Sequence, residues 1–205
     1  MRSSIRALLA ALVPGIALAR EAPPPPRVEL VERIVAVVDE RPLLASDVRA
    51  LQVVRGLAEE AARAAAIDER LMHVEAARLP QADVSPEEEN HALELLVEKR
   101  PALRGQVPEA DLRRLLRRQL SIMKYVEFRF RPQVRVSDAE VRKAWEEEEA
   151  GRPAGLAFED EQDDLRARLE RRALDERIEA WVRELRQRAD VRYVGGSPNA
   201  PPAAP

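Results

Sequence analysis

Val31-Glu-Arg-Ile-Val-Ala-Val-Val-Asp-Glu-Arg-Pro-Leu-Leu-Ala-Ser-Asp-Val48 reads as a β-strand, a tight turn, a second short strand and the start of a helix. Leu30 to Val38 is almost entirely apolar and β-branched, the pattern of a strand covered on both faces. Asp39-Glu40-Arg41-Pro42 supplies the turn, with Pro42 ending the hydrogen-bonded run. Ser46 suits a helix N-cap, and Asp47 suits the positive end of the helix that follows. Two short strands are marginal alone and need a partner. The one other strand-like stretch is at the far end, where Glu176-Arg-Ile-Glu-Ala-Trp-Val-Arg-Glu-Leu-Arg-Gln-Arg-Ala-Asp-Val-Arg-Tyr-Val194 runs from an amphipathic helix into Val191 to Val194. The two ends are therefore expected to meet in one small sheet that closes a mainly α domain of six helices.

Between them the pattern is helical. The first helix carries Val48, Leu51, Val54 and Leu57 at helical spacing. Glu59 to Leu79 is Ala-rich, with a stripe of Ile67, Leu71, Val74 and then Ala77 or Arg78. Ser85-Pro86-Glu87-Glu88-Glu89 starts a third helix with a cap, a first-position proline and acids in the first turn, and its core face is Ala92, Leu93, Leu96 and Val97. Pro101 to Pro108 is a connector. A fourth helix, Glu109 to Phe130, points Leu112, Leu116, Leu120, Met123 and Val126 inward. Val136-Ser137-Asp138 caps a short fifth helix, which Gly151 to Gly155 breaks. The sixth, about Glu159 to Ala189, has Leu165, Leu169, Ile178, Trp181 or Val182, and Leu185 on one face.

The 205 residues suffice for one domain with a true core. Charged residues make up 35% and aromatics 3%, which favours salt-bridged helices around an aliphatic core. The net charge of −3, with both signs interleaved and no basic stripe, makes nucleic acid an unsuitable partner. With no cysteine, the chain has no disulfide, no thiol nucleophile and no lipidated cysteine as a membrane anchor.

Arg2 and Arg6 precede an apolar stretch, Ala7 to Ala19, too short to span a bilayer. Ala17-Leu18-Ala19 offers the small residues of a signal-peptidase site, so residues 1–19 read as a signal peptide cut between Ala19 and Arg20. Pro14-Gly15 argues against a buried helix there. Residues 20–27 read as a Pro-rich linker, 28–194 as the domain and 195–205 as a disordered Pro/Ala tail. The mature protein is then expected in the periplasm, without a membrane anchor.

In this order, the strand-turn-strand of Ile34 to Leu44 with Ser46-Asp47-Val48, the segment Ile67 to Leu79, Val84-Ser-Pro-Glu-Glu88, the Leu115 to Val126 helix, Val136 to Val141, and Trp181 to Val191 resemble the chaperone module of the SurA family of periplasmic chaperones. The resemblance covers roughly residues 28–194. It implies a six-helix module with a small sheet, an ATP-independent holdase activity, and unfolded or outer-membrane polypeptides as clients. That family places one or two parvulin-type prolyl isomerase domains between the equivalents of Trp145 and Phe158. Here about a dozen residues, Glu146 to Ala157, join the two, so the chain resembles the module with the isomerase excised. No enzymatic activity is expected.

No catalytic constellation emerges from the residues. His73 and His91 fall on different helices without metal-ligand spacing, so neither metal nor cofactor is expected. The acidic runs Glu87 to Glu89 and Glu146 to Glu149 fit a helix start and a solvated face. Ser46, Ser85 and Ser137 are caps without a nucleophile elbow, and no Gly-rich phosphate loop is present. Met72, Met123, Tyr125, Phe128 and Phe130 are candidates for a client-binding groove, since flexible and aromatic groups suit varied apolar peptides. Their helical spacing also explains them as core, and that explanation takes precedence; Trp181 is expected in the core. Two function classes follow: a holdase for unfolded segments, or a structural adaptor of the same fold with one dedicated envelope partner.

Overall fold

A computed structural model describes residues 32–147 and 157–194. The signal peptide with its Ala19–Arg20 cut, the linker, the first residues of the expected strand, the Gly151 to Gly155 break and the tail all lie outside the described residues. Strand β1 (Ile34–Val38) turns into β2 (Arg41–Leu44), and α1 (Ala45–Arg55), α2 (Glu59–Ala76), α3 (Pro86–Lys99), α4 (Leu103–Gln106), α5 (Glu109–Arg129), α6 (Asp138–Glu147) and α7 (Phe158–Arg188) follow. Strand β3 (Val191–Tyr193) closes the order. The chain is mainly α, with a small sheet built from both ends of the domain, as the sequence predicts.

The sheet order is β2-β1-β3, antiparallel throughout. β3 pairs Val191 with Val38 and Tyr193 with Ala36. Ala36, Val38 and Leu43 are buried on the face toward the helices, while Val35 and Val37 are only half-covered and Ile34 is exposed. The expectation of a strand covered on both faces is thus corrected: among the described residues helices pack against one side, which leaves the alternation of a half-buried strand. The turn is also tighter than expected. Asp39 and Glu40 alone form it, at φ 46° and 64°, the mirror-image geometry that matches the twist of a two-residue hairpin. Pro42 lies inside β2, which tolerates it because β2 is an edge strand.

Ser46 is not the N-cap of α1. The helix begins at Ala45, Leu44 occupies the cap position, and its N–H donates to Asp47 Oδ2 at 3.4 Å. The strand runs directly into the helix and leaves no turn for a serine cap. Ser46 instead donates its N–H to Glu32 Oε1 at 3.3 Å and accepts from Arg114. Gly56, at φ 67°, ends α1 in the left-handed conformation glycine adopts without strain. Ser85 and Ser137 do cap: each hydroxyl accepts from the N–H three residues on, and Glu88 and Glu140 reach back to the serine N–H at 2.8 Å.

α2 ends at Ala76, short of Leu79, so Ala76 completes its buried stripe while Ala77 and Arg78 are exposed. The expected connector 101–108 contains α4, whose Leu103 is buried, as is Val107 just beyond. On α5 the inward line includes Leu115, and Met123 points to solvent; Leu112 and Val126 are buried as expected. The helix is rotated from its purely apolar stripe because Arg118 and Ser121 also face inward. α7 has 31 residues, about 46 Å of helix. Its C-terminal half, through Ile178, Trp181 and Leu185, joins the main core. Its first half packs on α6, where Val141 and Leu165 are buried.

Candidate functional site

The structure separates the five candidate groove residues. Phe130 is 4% exposed, in the core. Tyr125 stacks on Trp181 with ring centroids 4.9 Å apart, and Phe130 meets Trp181 edge-on at 5.2 Å and Tyr125 edge-on at 5.7 Å. This trio docks α7 on α5, so Tyr125 and Phe130 are packing groups. Met72 is half-buried against the same core. Met123 and Phe128 are 53% and 52% exposed. Five residues apart on α5, they stand about 140° from one another around the axis and form no common stripe. The five residues do not converge on one groove.

Among the described residues two larger troughs lie on the helical body, and the sequence reading singled out neither. One, of about 350 Å³, lies between α6 and α7 over Val136, Ala144, Leu169 and Ala173. Its rim charges largely satisfy each other: Lys143 pairs with Glu147 at 3.8 Å and Arg172 with Glu176 at 3.0 Å. Next to this trough the Arg166 guanidinium donates to the carbonyl of Val136, which lines it, and to Asp138. Trp145 of α6 meets Phe158 at the start of α7 edge-on at 5.7 Å. The second trough, also about 350 Å³, lies where α3, α4 and α5 meet. Leu93, Val97, Val107 and Leu112 floor it. The signal for both was present as apolar positions on adjacent helices, but only packing decides where two helices splay.

Beneath these surfaces is a buried ionic cluster. Arg118 on α5 donates to Glu69 of α2 at 2.8 Å and pairs with Asp47 of α1 at 3.0 Å, and all three are buried. Arg70 adds a bond to Asp47 at 3.2 Å, and Gln119 donates to Glu69 at 3.1 Å. A third buried carboxylate, Glu89, accepts from Arg117 at 2.6 Å and Arg113 at 3.3 Å. These charges are spent on one another and lock α1, α2, α3 and α5 in register.

The candidate acids at the start of α3 are likewise engaged. Glu88 accepts from Lys124 and from the Ser85 N–H, and these bonds hold its carboxyl below the ordinary range. Glu87 is lowered by hydrogen bonds at the same helix start. Burial, then Arg118, Arg70 and Arg41, push the half-buried His73 imidazole below its ordinary value. His91 is exposed. Among the described residues no group of three or more His, Cys, Asp or Glu side chains is placed to hold a metal ion. Among them, too, no helix is long and apolar enough to cross a membrane.

The chain matches no protein-family model, and a comparison with curated proteins finds no relative. The fold and its surfaces therefore carry the functional argument.

Proposed function

We propose that the protein is an ATP-independent holdase of the periplasm that binds unfolded segments, outer-membrane polypeptides among them, without isomerase activity. The observation that carries this reading is the pair of open troughs with aliphatic floors and charged rims. Such surfaces accept apolar side chains of an extended chain, while the rim charges keep the complex soluble. Exposed Leu95, Met123 and Phe128 add apolar area for varied clients. The element order, closed by β3 on β1, supports the likeness to SurA-type modules, and the Arg2 to Ala19 leader supports export.

Light scattering tests this. The protein at stoichiometric ratio, without ATP, should suppress aggregation of several unrelated unfolded proteins. Suppression of one client or none would replace the holdase with an adaptor for a dedicated partner. A protease-coupled assay on a Xaa-Pro peptide should match the uncatalysed rate, tens of seconds or longer at 25 °C; acceleration that scales with protein concentration would overturn the non-enzymatic part.

A further inference from the structure

The two troughs differ in their ions. Around the α6–α7 trough most rim charges have mates. At the α3–α4–α5 trough only one side is so arranged: Arg113 donates to Glu109 at 2.8 Å and is drawn on to Glu89 and Asn90. The other side holds Glu94 of α3 and Arg104 of α4, both exposed. Among the described residues neither meets an opposite charge within ion-pairing distance, and they do not reach each other. Neighbouring Arg100 is engaged, its guanidinium capping the Val53 and Val54 carbonyls at the end of α1.

We infer that the α3–α4–α5 trough is a side-chain socket that selects a polypeptide segment carrying an apolar side chain flanked by an acidic residue on one side and a basic residue on the other. This rests on the holdase reading and names the client feature read at one of its surfaces. The floor of Leu93, Val97, Val107 and Leu112 offers no polar side chain, so it rewards an apolar guest. A cavity of about 350 Å³ is at the small end of ligand sites and takes a side chain or two, not a folded element. A carboxylate beside the guest would pair with Arg104, and a lysine or arginine with Glu94. Opposite charges without a mate among the described residues, beside one apolar pocket, thus read charge pattern as well as hydrophobicity.

The test is fluorescence anisotropy of the full chain with fluorescein-labelled Gly-Ser peptides whose centre is Asp-Leu-Lys, Asp-Ser-Lys, Ser-Leu-Ser or Lys-Leu-Lys. Asp-Leu-Lys should bind tightest, at least about ten-fold ahead of Asp-Ser-Lys, since the latter buries no apolar side chain. Ser-Leu-Ser should bind about two- to five-fold more weakly per ion pair lost. Arg104→Glu and Glu94→Lys, both at exposed positions and therefore expected to fold, should each weaken Asp-Leu-Lys by that factor, and Arg104→Glu should improve Lys-Leu-Lys. Equal binding of Asp-Ser-Lys and Asp-Leu-Lys, or peptide affinities that ignore both variants, would overturn the socket. Aggregation suppression by the same variants separates the two ideas. If suppression persists while the peptides show no selectivity, the socket falls and the holdase stands. Selectivity without suppression keeps the socket and removes the holdase.

Discussion

Asp39 and Asp190, 151 residues apart, close two hydrogen bonds on one another. The Asp39 N–H donates to the Asp190 carbonyl at 2.9 Å, and the Asp190 N–H donates to Asp39 Oδ1 at 2.9 Å. The hairpin turn at one end of the domain therefore receives the chain as it leaves α7 for β3. Asp39 also holds φ 46°, which glycine adopts freely and alanine does not. Asp39→Gly should lose the side-chain bond alone, about 1 kcal/mol. Asp39→Ala should lose about 1–2 kcal/mol more from backbone strain. Urea melts that rank alanine equal to glycine would contradict this turn geometry.

Removing residues 190–205 deletes β3 and should lower the melting temperature by roughly 5–10 °C, the equivalent of a few kcal/mol. Removing only 195–205 retains the strand and its pairing with β1, and should change little. Identical melts for the two truncations would mean that β3 does not close the domain.

Arg118 is the shared partner of Asp47 and Glu69. Arg118→Met should cost about 3–5 kcal/mol, because it strips the central cation from two buried carboxylates. Adding Glu69→Leu should recover part of that loss by removing one of them. A single-variant cost no larger than a surface substitution would show that the carboxylates are compensated elsewhere.

Trp181 is 6% exposed and stacked on Tyr125. Trp181→Ala should cost about 3–5 kcal/mol, and Trp181→Phe clearly less, since it keeps an aromatic face in the trio. Thermal melts with near-ultraviolet circular dichroism decide. A benign alanine variant would detach α7 from the core.

His73 is held below its ordinary value by burial and by Arg118, Arg70 and Arg41. The folded state then binds its proton less readily than the unfolded chain does, so stability falls as pH drops through the ordinary imidazole value of about 6.5. The lowered carboxyls of Glu32 and Glu140 release their stability only further down, below about 4.5. Melting between pH 7.5 and 5.5 should decline for the wild type and flatten in His73→Gln. Parallel curves for the two proteins would exclude His73 as the source.

The proposed export has its own test. Mass spectrometry of the protein recovered from the periplasm should find Arg20 as the first residue, and Ala19→Arg should block processing. An intact Met1 in that fraction would refute the cleavage site.

The sequence by itself determined the helical class, the caps at Ser85 and Ser137 and the meeting of the first and last strands. Each follows from local chemistry or from a strand's need for a partner: 3.6-residue periodicity, a hydroxyl three residues before a glutamate, and short apolar strands whose backbone groups must be paired. Tertiary structure alone decided what each amphipathic helix turns inward. Met123, Tyr125, Phe128 and Phe130 are near neighbours in sequence, yet Phe130 is buried with Trp181 while Met123 and Phe128 face water. Asp47, Glu69 and Arg118 look like surface charges one at a time and become buried only because three helices bring them together. Ser46 fails as a cap because β2 enters α1 without a turn. A side chain's fate on such a helix depends on the rotation that its neighbours impose, and that rotation is a property of the packed set.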